Sequence, residues 1–273
     1  IKSACVEVGQ GFVTLVGQIV EETLGISDVT ILPVDTSIGS AGSTSASRQT
    51  WMSGGAVLKA CEAVVDALRL DLSSENGVAY EKSGLNLVSK DATHSIDIST
   101  ALRGRNYDEH VTHRHKRTFP LDHNGQGNAH VSFAFAAHRA VVDVDEELGL
   151  VRVVEIATSQ DVGRVLNPVQ ARGQIEGGIA QGLCLALLEE LVLDSGKIVN
   201  ANFTDYLLPT SMDTPPIKIA SLIEQSEPGA PFGAKGIGEP PVISSTPAII
   251  SAVRNATGKK LSRVPIKPED LIF

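Results

Sequence analysis

Two long strand-like runs, HVSFAFAAHRAVVDVD (130–145) and LVRVVEIATSQD (150–161), flank Glu146-Glu147-Leu148-Gly149, and this stretch constrains the fold most. An acidic turn ending in glycine between β-branched, alternating runs predicts a hairpin. Asn167-Pro168 follows with the composition of a helix start, Pro falling near the first turn, and GQIEGGIAQGLCLALL carries that helix on. Gly173, Gly177, Gly178 and Gly182 lie along it, where missing side chains would let another backbone or a flat ligand come close.

The other elements are mixed. After Gly9-Gln10-Gly11, the spacing of Leu15, Val16, Ile19, Val20 and Leu24 predicts an amphipathic helix that Gly25 ends. Ala56, Val57, Ala60, Cys61, Val64, Val65 and Leu68 mark one face of a second helix. IKSACVEV (1–8) and VTILPVD (29–35) read as strands, and IGSAGSTSASRQT (38–50) as a loop of small residues. Further strands are expected at 198–203 and 217–223, then a last helix at 247–257 and an extended tail. Without regular β-α alternation the order points to an α+β fold, two packed lobes of mixed β-sheet with helices. The charged, His-rich, poorly periodic segment Arg103–Gly127 suggests the boundary, giving lobes at 1–115 and 116–273 with room to interleave. Starting inside an apparent strand without a methionine, the chain reads as a fragment.

Composition narrows the function. A formal charge of −9 argues against general affinity for nucleic acid, which needs clustered Lys and Arg. No apolar run is long enough for a membrane span and no signal peptide opens the chain, so a cytoplasmic location is expected. Cys5, Cys61 and Cys184 are odd in number, far apart and never in a C-x-x-C arrangement, so this chain alone builds no disulfide framework, iron–sulfur cluster or zinc cage.

Glu239 stands out within GAKGIGEPP, between glycines and two prolines. Glycine lets backbone approach a ligand and Pro240 favours an extended Glu239, a way to position a general base, although an isolated G-E-P-P is as readily an ordinary turn. Gln10 sits at the mouth of a helix, where N–H groups can bind an anion and an amide can donate and accept; alone, G-Q-G reads more simply as a turn. Ser43–Thr50 offers hydroxyls and backbone donors suited to phosphate or a heterocycle. Gln174 could present its amide from the glycine-bearing helix. His110, His113 and His115 lack a completing Cys or carboxylate and stand among Arg114, Lys116 and Arg117, which disfavours a metal site.

In order and at comparable spacing, GQG (9–11), TSASRQT (44–50), SQDVGRVLNPVQARGQIEGGIAQG (159–182) and GAKGIGEPP (233–241) resemble the molybdenum-binding half of the xanthine dehydrogenase and aldehyde oxidase family. THRHKRTFPLDHNGQGNAHVSFAFAAHRAVVDVD and NFTDYLLPTSMDTPP are more similar to bacterial purine-degrading members. The resemblance implies a molybdopterin-dependent hydroxylase acting on an electron-poor ring carbon with water-derived oxygen, with hypoxanthine or xanthine as substrate. It implies Glu239 as the base, and Gln10, Gly11 and Gln174 at the pterin. The loop of Ala46, Ser47, Arg48, Gln49 and Thr50 would cradle the pterin and its phosphate, although Arg48 and Gln49 replace smaller residues of relatives. The resemblance implies the pterin as such or as its cytosine dinucleotide, with the 2Fe-2S and FAD centres, and the N-terminal half of the molybdenum subunit, supplied by partner chains or domains. Aldehyde, nicotinate or carbon monoxide oxidation, or a non-catalytic cofactor-carrying role, are the alternatives.

Overall fold

The computed structural model describes residues 1–272, which divide into two compact units. The first comprises Ile1–Phe133 with Ser226–Gly236, and the second Ala134–Gln225 with the chain from Ile237 on. The division thus follows Phe133 and not residue 115. In the first unit, helix α2 (Gln49–Asn76) meets the 103–127 segment at Arg105, Tyr107 and His113. Arg105 reaches Glu75 with both guanidinium nitrogens (2.7 and 2.6 Å), Tyr107 donates to Asp71 (2.8 Å), and the His113 ring lies where Gly55 has no side chain.

The first unit is built on α1 (Phe12–Leu24) and α2. Val16, Ile19 and Val20 of α1 and Val57, Cys61, Val65, Leu68 and Leu72 of α2 share its core. Gly54 allows this approach, since a methyl there would already meet Ile19 and Leu15 at 3.4 Å. A three-stranded antiparallel meander follows, β1 (Tyr80–Ser83), β2 (Asn86–Ser89) and β3 (Ser95–Asp97), then the short α3 (Ile98–Leu102). These strands are too short to show a clear period in the sequence. Neither IKSACVEV nor VTILPVD is a strand: their link is Ile1, whose ammonium donates to the Thr30 carbonyl (2.7 Å) and whose carbonyl accepts from Leu32 (2.9 Å). Pro33 has no N–H to extend the pairing.

In the second unit β4 (Ala136–Asp145) and β5 (Leu150–Asp161) form the expected hairpin, with a register shift at Val141/Val142, and β8 (Ile217–Ile223) joins β5 in parallel. Between them lie α4 (Pro168–Leu187) and the small hairpin of β6 (Leu193–Asp194) and β7 (Lys197–Ile198), which is all that forms near the strand expected at 198–203. Val153 and Ile156 of β5 pack with Ile175, Ile179 and Leu183 of α4, and with Ile249 and Val253 of α5 (Pro240–Thr257). Burying one such aliphatic side chain contributes about 1.5–3 kcal/mol. That gain explains why α5 starts at Pro240 and runs through Pro247, despite the hydrogen bond lost at an interior proline. The tail closes with α6 (Pro268–Ile272) and is not wholly extended. Among the described residues no helix is long and apolar enough to cross a membrane.

Candidate functional site: three helix starts and a glycine-lined helix

At the start of α1 the N–H groups expected to hold an anion already have one. Glu7 Oε1 accepts from Gly9 (2.7 Å) and Gly11 (3.1 Å), and Oε2 from Val13 (3.0 Å). Burial pushes the Glu7 pKa up, but the backbone donors together outweigh it and hold the carboxyl below its ordinary value. Gly9 (φ 100°) and Gly11 (φ 81°) supply the left-handed backbone that folds the turn around this carboxylate. Gln10 closes the same turn: its Nε2 donates to the Val6 carbonyl (2.8 Å) and its Oε1 accepts from Val8 N–H (2.6 Å). One N–H and one lone pair of that amide remain for another partner.

The start of α2 is built differently. Ala46 (φ 53°) and Ser47 (φ 52°) are consecutive left-handed residues before Arg48, and no side chain caps the helix. The first-turn N–H groups of Gln49, Thr50 and Trp51 have no acceptor within the helix. Arg48 and Gln49, the larger residues of this loop, turn their side chains back on it. Arg48 Nη1 donates to the carbonyls of Ala41 and Ser43 (3.0 Å each), and Gln49 Nε2 to Ser43 (2.9 Å), while Ser53 donates to Gln49 Oε1 (2.5 Å). Their bulk therefore buttresses the loop's own carbonyls. Gly236 completes this region, because a methyl on it would collide with the Ser47 carbonyl.

Glu239 is the N-cap of α5, half-buried, with φ −108° and ψ −33°. The extended conformation expected before proline is absent, since the Glu239 carbonyl accepts from Val242 (3.0 Å) and Ile243 (3.3 Å) and so belongs to the helix. An N-cap side chain normally accepts from the second or third helical N–H. Here Pro240 and Pro241 carry no N–H, the third donor is taken by the Glu239 carbonyl, and the carboxylate makes no capping bond.

The glycines of α4 serve two purposes. Gly178 faces Pro241, whose Cβ would stand 2.8 Å from an added methyl, and a methyl on Gly182 would collide with the Ser245 side chain. Thr246 Oγ1 also donates to the Gly182 carbonyl (2.8 Å). These two glycines admit α5. Gly173 and Gly177 face open space, and at 100° per residue Gly177 lies about 60° around the helix from the half-buried Gln174.

The histidine segment is not drawn together as a metal cluster: among the described residues no three His, Cys, Asp or Glu side chains are placed to hold a metal. His113 has both ring nitrogens buried without a partner, and burial, then Lys59 and His115, hold its pKa down. Sequence reasoning missed Glu7, although a Glu shortly before G-Q-G at a helix start is a recognisable capping signal. It also missed the part of Gly236, which only the folded loop reveals.

Residues 1–215 match the molybdopterin cofactor-binding domain family. The chain is 32% identical over 285 residues to the gamma subunit of the 6-hydroxypseudooxynicotine dehydrogenase complex of Paenarthrobacter nicotinovorans, covering 99% of this chain and 35% of that protein. It is 30% identical over 298 residues to the xanthine dehydrogenase molybdenum-binding subunit of Escherichia coli O157:H7, covering 99% and 37%. The structure of quinoline 2-oxidoreductase from Pseudomonas putida 86 superposes with a TM-score of 0.78 at 27% identity, over 98% of this chain and 36% of that one. The chain thus spans about a third of the length of these relatives.

Proposed function

The chain belongs to the molybdopterin cofactor-binding family of the molybdenum hydroxylases, and we propose that it is the part bearing the catalytic base of an enzyme that hydroxylates an electron-poor ring carbon, with a purine such as hypoxanthine or xanthine as substrate. The observation that carries this reading is the place of Glu239, a carboxylate held at the head of α5 by the two prolines that follow it and by the seating of Pro241 on Gly178. The residues present fit the cofactor. The uncapped start of α2, behind left-handed Ala46 and Ser47, suits a phosphate or pterin oxygen, with Thr50 in its first turn. Gln10 presents the remaining N–H and lone pair of its amide on the turn that Gly11 shapes, and Gln174 its amide beside the open faces of Gly173 and Gly177.

When bound, the molybdenum centre supplies the oxygen to be transferred and accepts two electrons. Glu239 accepts, at a carboxylate oxygen, the proton released as the new carbon–oxygen bond forms, a role for a base held within hydrogen-bond reach. Arg48 and Gln49 hold the α2 loop through its carbonyls, so their part is in shaping the cradle.

With three buried free thiols and no paired cysteines, this chain supplies no iron–sulfur ligand set. The reading therefore assigns 2Fe-2S and FAD centres, and the remaining part of the molybdenum subunit, to partner chains or domains, with the pterin as such or as its cytosine dinucleotide. A cytoplasmic complex suits thiols kept reduced. The test is metal and pterin analysis of the complete protein, followed by turnover with a panel of purine, aldehyde, nicotinate and carbon monoxide. Stoichiometric molybdenum with purine turnover that Glu239→Gln abolishes is the expected result. Absence of molybdenum, or turnover indifferent to Glu239→Gln, would overturn the catalytic reading.

A further inference from the structure

A chain of polar contacts runs from the sheet of the second unit to α5. His138 on β4 approaches Ser244 Oγ of α5 with Nδ1 (2.7 Å) and the Gln160 amide nitrogen with Nε2 (3.2 Å). Gln160 Nε2 also donates to Thr158 Oγ1 (2.7 Å), and Thr158 donates to the Ala137 carbonyl (3.1 Å). Gln160 and Thr158 are 1% and 2% exposed, so water does not replace these partners.

Donor accounting fixes the histidine. The Thr158 hydroxyl hydrogen is spent on Ala137, so its oxygen accepts from Gln160, and the second amide N–H of Gln160 points at His138 Nε2. That nitrogen must carry its lone pair. The ring is then neutral, protonated on Nδ1, and donates to Ser244. Its burial also favours the neutral form. The same amide orientation leaves Gln160 Oε1 buried without a partner, which is uncommon, and identifies the N–H contacts as those that orient the amide.

We propose that His138 is a positioning residue for Glu239: through Ser244 it sets the rotation of α5 and thereby the place of the carboxylate at the head of that helix. This rests on Glu239 being the base. Helix α5 is seated against α4 by Pro241 on Gly178 and by Ser245 and Thr246 on Gly182. Those contacts hold the side facing α4, and Ile249 and Val253 bury apolar surface against β5 farther along the helix, neither of which is a directional bond near its first turn. The His138–Ser244 bond supplies a contact on another side, one turn beyond Glu239.

The test uses the complete, cofactor-loaded enzyme and four substitutions, His138→Phe, Ser244→Ala, Ser244→Thr and Glu239→Gln. His138→Phe and Ser244→Ala should slow metal reduction at saturating substrate roughly ten- to a hundredfold, the scale of an ångström-level misplacement, with substrate affinity unchanged. Ser244→Thr, which keeps the hydroxyl, should restore most of the rate. Hydrogen exchange, a readout independent of turnover, should quicken at the first amides of α5 in Ser244→Ala and not in Ser244→Thr. In a Glu239→Gln background His138→Phe should cost nothing more. Wild-type reduction by His138→Phe and Ser244→Ala, with Glu239→Gln slow, would overturn the positioning role and leave the base intact. Wild-type reduction by Glu239→Gln would remove the base and this proposal with it. An equal further loss from His138→Phe on the Glu239→Gln background would show an effect by another route and also overturn the proposal. Should His138→Phe fail to assemble, the Ser244 pair decides.

Discussion

Glu7 and Glu239 each stand just before a helix and do opposite things. Glu7 lies beside Gly9 and Gly11, whose N–H groups, with that of Val13, surround its carboxylate. Glu239 lies before Pro240 and Pro241, which present no N–H, and its carboxylate makes no capping bond. Glycine next to a helix start exposes donors and folds them inward; proline removes them. The neighbours, more than the carboxylate, decide whether a glutamate caps its helix.

The sharpest break of that comparison is Glu239→Gln. Because the carboxylate makes no capping bond, the nearly isosteric amide should cost the second unit less in denaturant unfolding than Glu7→Gln costs the first. Single-turnover reduction of the metal in the complete enzyme should fall about a hundred- to ten-thousand-fold, the usual worth of a general base. A large stability loss with an unchanged rate would make Glu239 a cap like Glu7.

Next in size is the seat of α5. Gly182→Ala drives a methyl into Ser245, a side chain with no exposure to move into, so the second unit should lose about 1–3 kcal/mol in denaturant unfolding. No loss would mean that α4 and α5 are less closely apposed than described.

Glu7→Gln should be the mirror image of Glu239→Gln. Removing the charge and turning an amide donor toward one of three backbone donors should cost the first unit about 1–2 kcal/mol. The sign of its pH dependence follows from the lowered pKa. The stabilisation is fully present above the ordinary glutamate value, about 4.3, and is lost as pH falls through the depressed one. Acid titration of unfolding should therefore be steeper in wild type than in Glu7→Gln over that window; parallel curves would show that the carboxylate does not cap.

Much of this was legible in the sequence where periodicity is long. The β4–β5 hairpin, β8, α1 and the α4 start follow their patterns because each buries one face or one stripe. The short meander of β1–β3 carries too few residues for a period, and Pro33 defeats the strand suggested by VTILPVD. The motifs single out Gln10, Ala46–Thr50, Gln174 and Glu239 as the proposed site residues, and do not carry their partners. That Arg48 and Gln49 grip carbonyls of residues 41–43, that Glu7 fills the first turn and that Gly236 accommodates Ser47 are matters of tertiary approach, which local spacing does not encode. The conformation of Glu239 departs from expectation for a related reason: the rule for a residue before proline yields here to a helix whose first hydrogen bonds need its carbonyl.

The smallest expected effect separates the two kinds of glycine on α4, and so sharpens what surrounds the α5 start. Gly173 and Gly177 have nothing within 4 Å of an added methyl, so Ala at either should relieve the helix of glycine's backbone entropy and stabilise the second unit by up to about 1 kcal/mol. The sign is opposite to that for Gly182→Ala. If the open face beside Gln174 receives the flat pterin, the same methyls should lower cofactor retention in the complete enzyme although the fold is firmer. Denaturant midpoints and pterin content, measured on each variant, distinguish the cases. Stabilisation with full pterin content would mean that the pterin lies elsewhere and that Gly173 and Gly177 are only exposed helix. Destabilisation would mean that another part of the protein packs on this face. Stabilisation with lost pterin is the result that assigns the open side of α4 to the cofactor and the Gly178–Gly182 side to the seating of Glu239's helix.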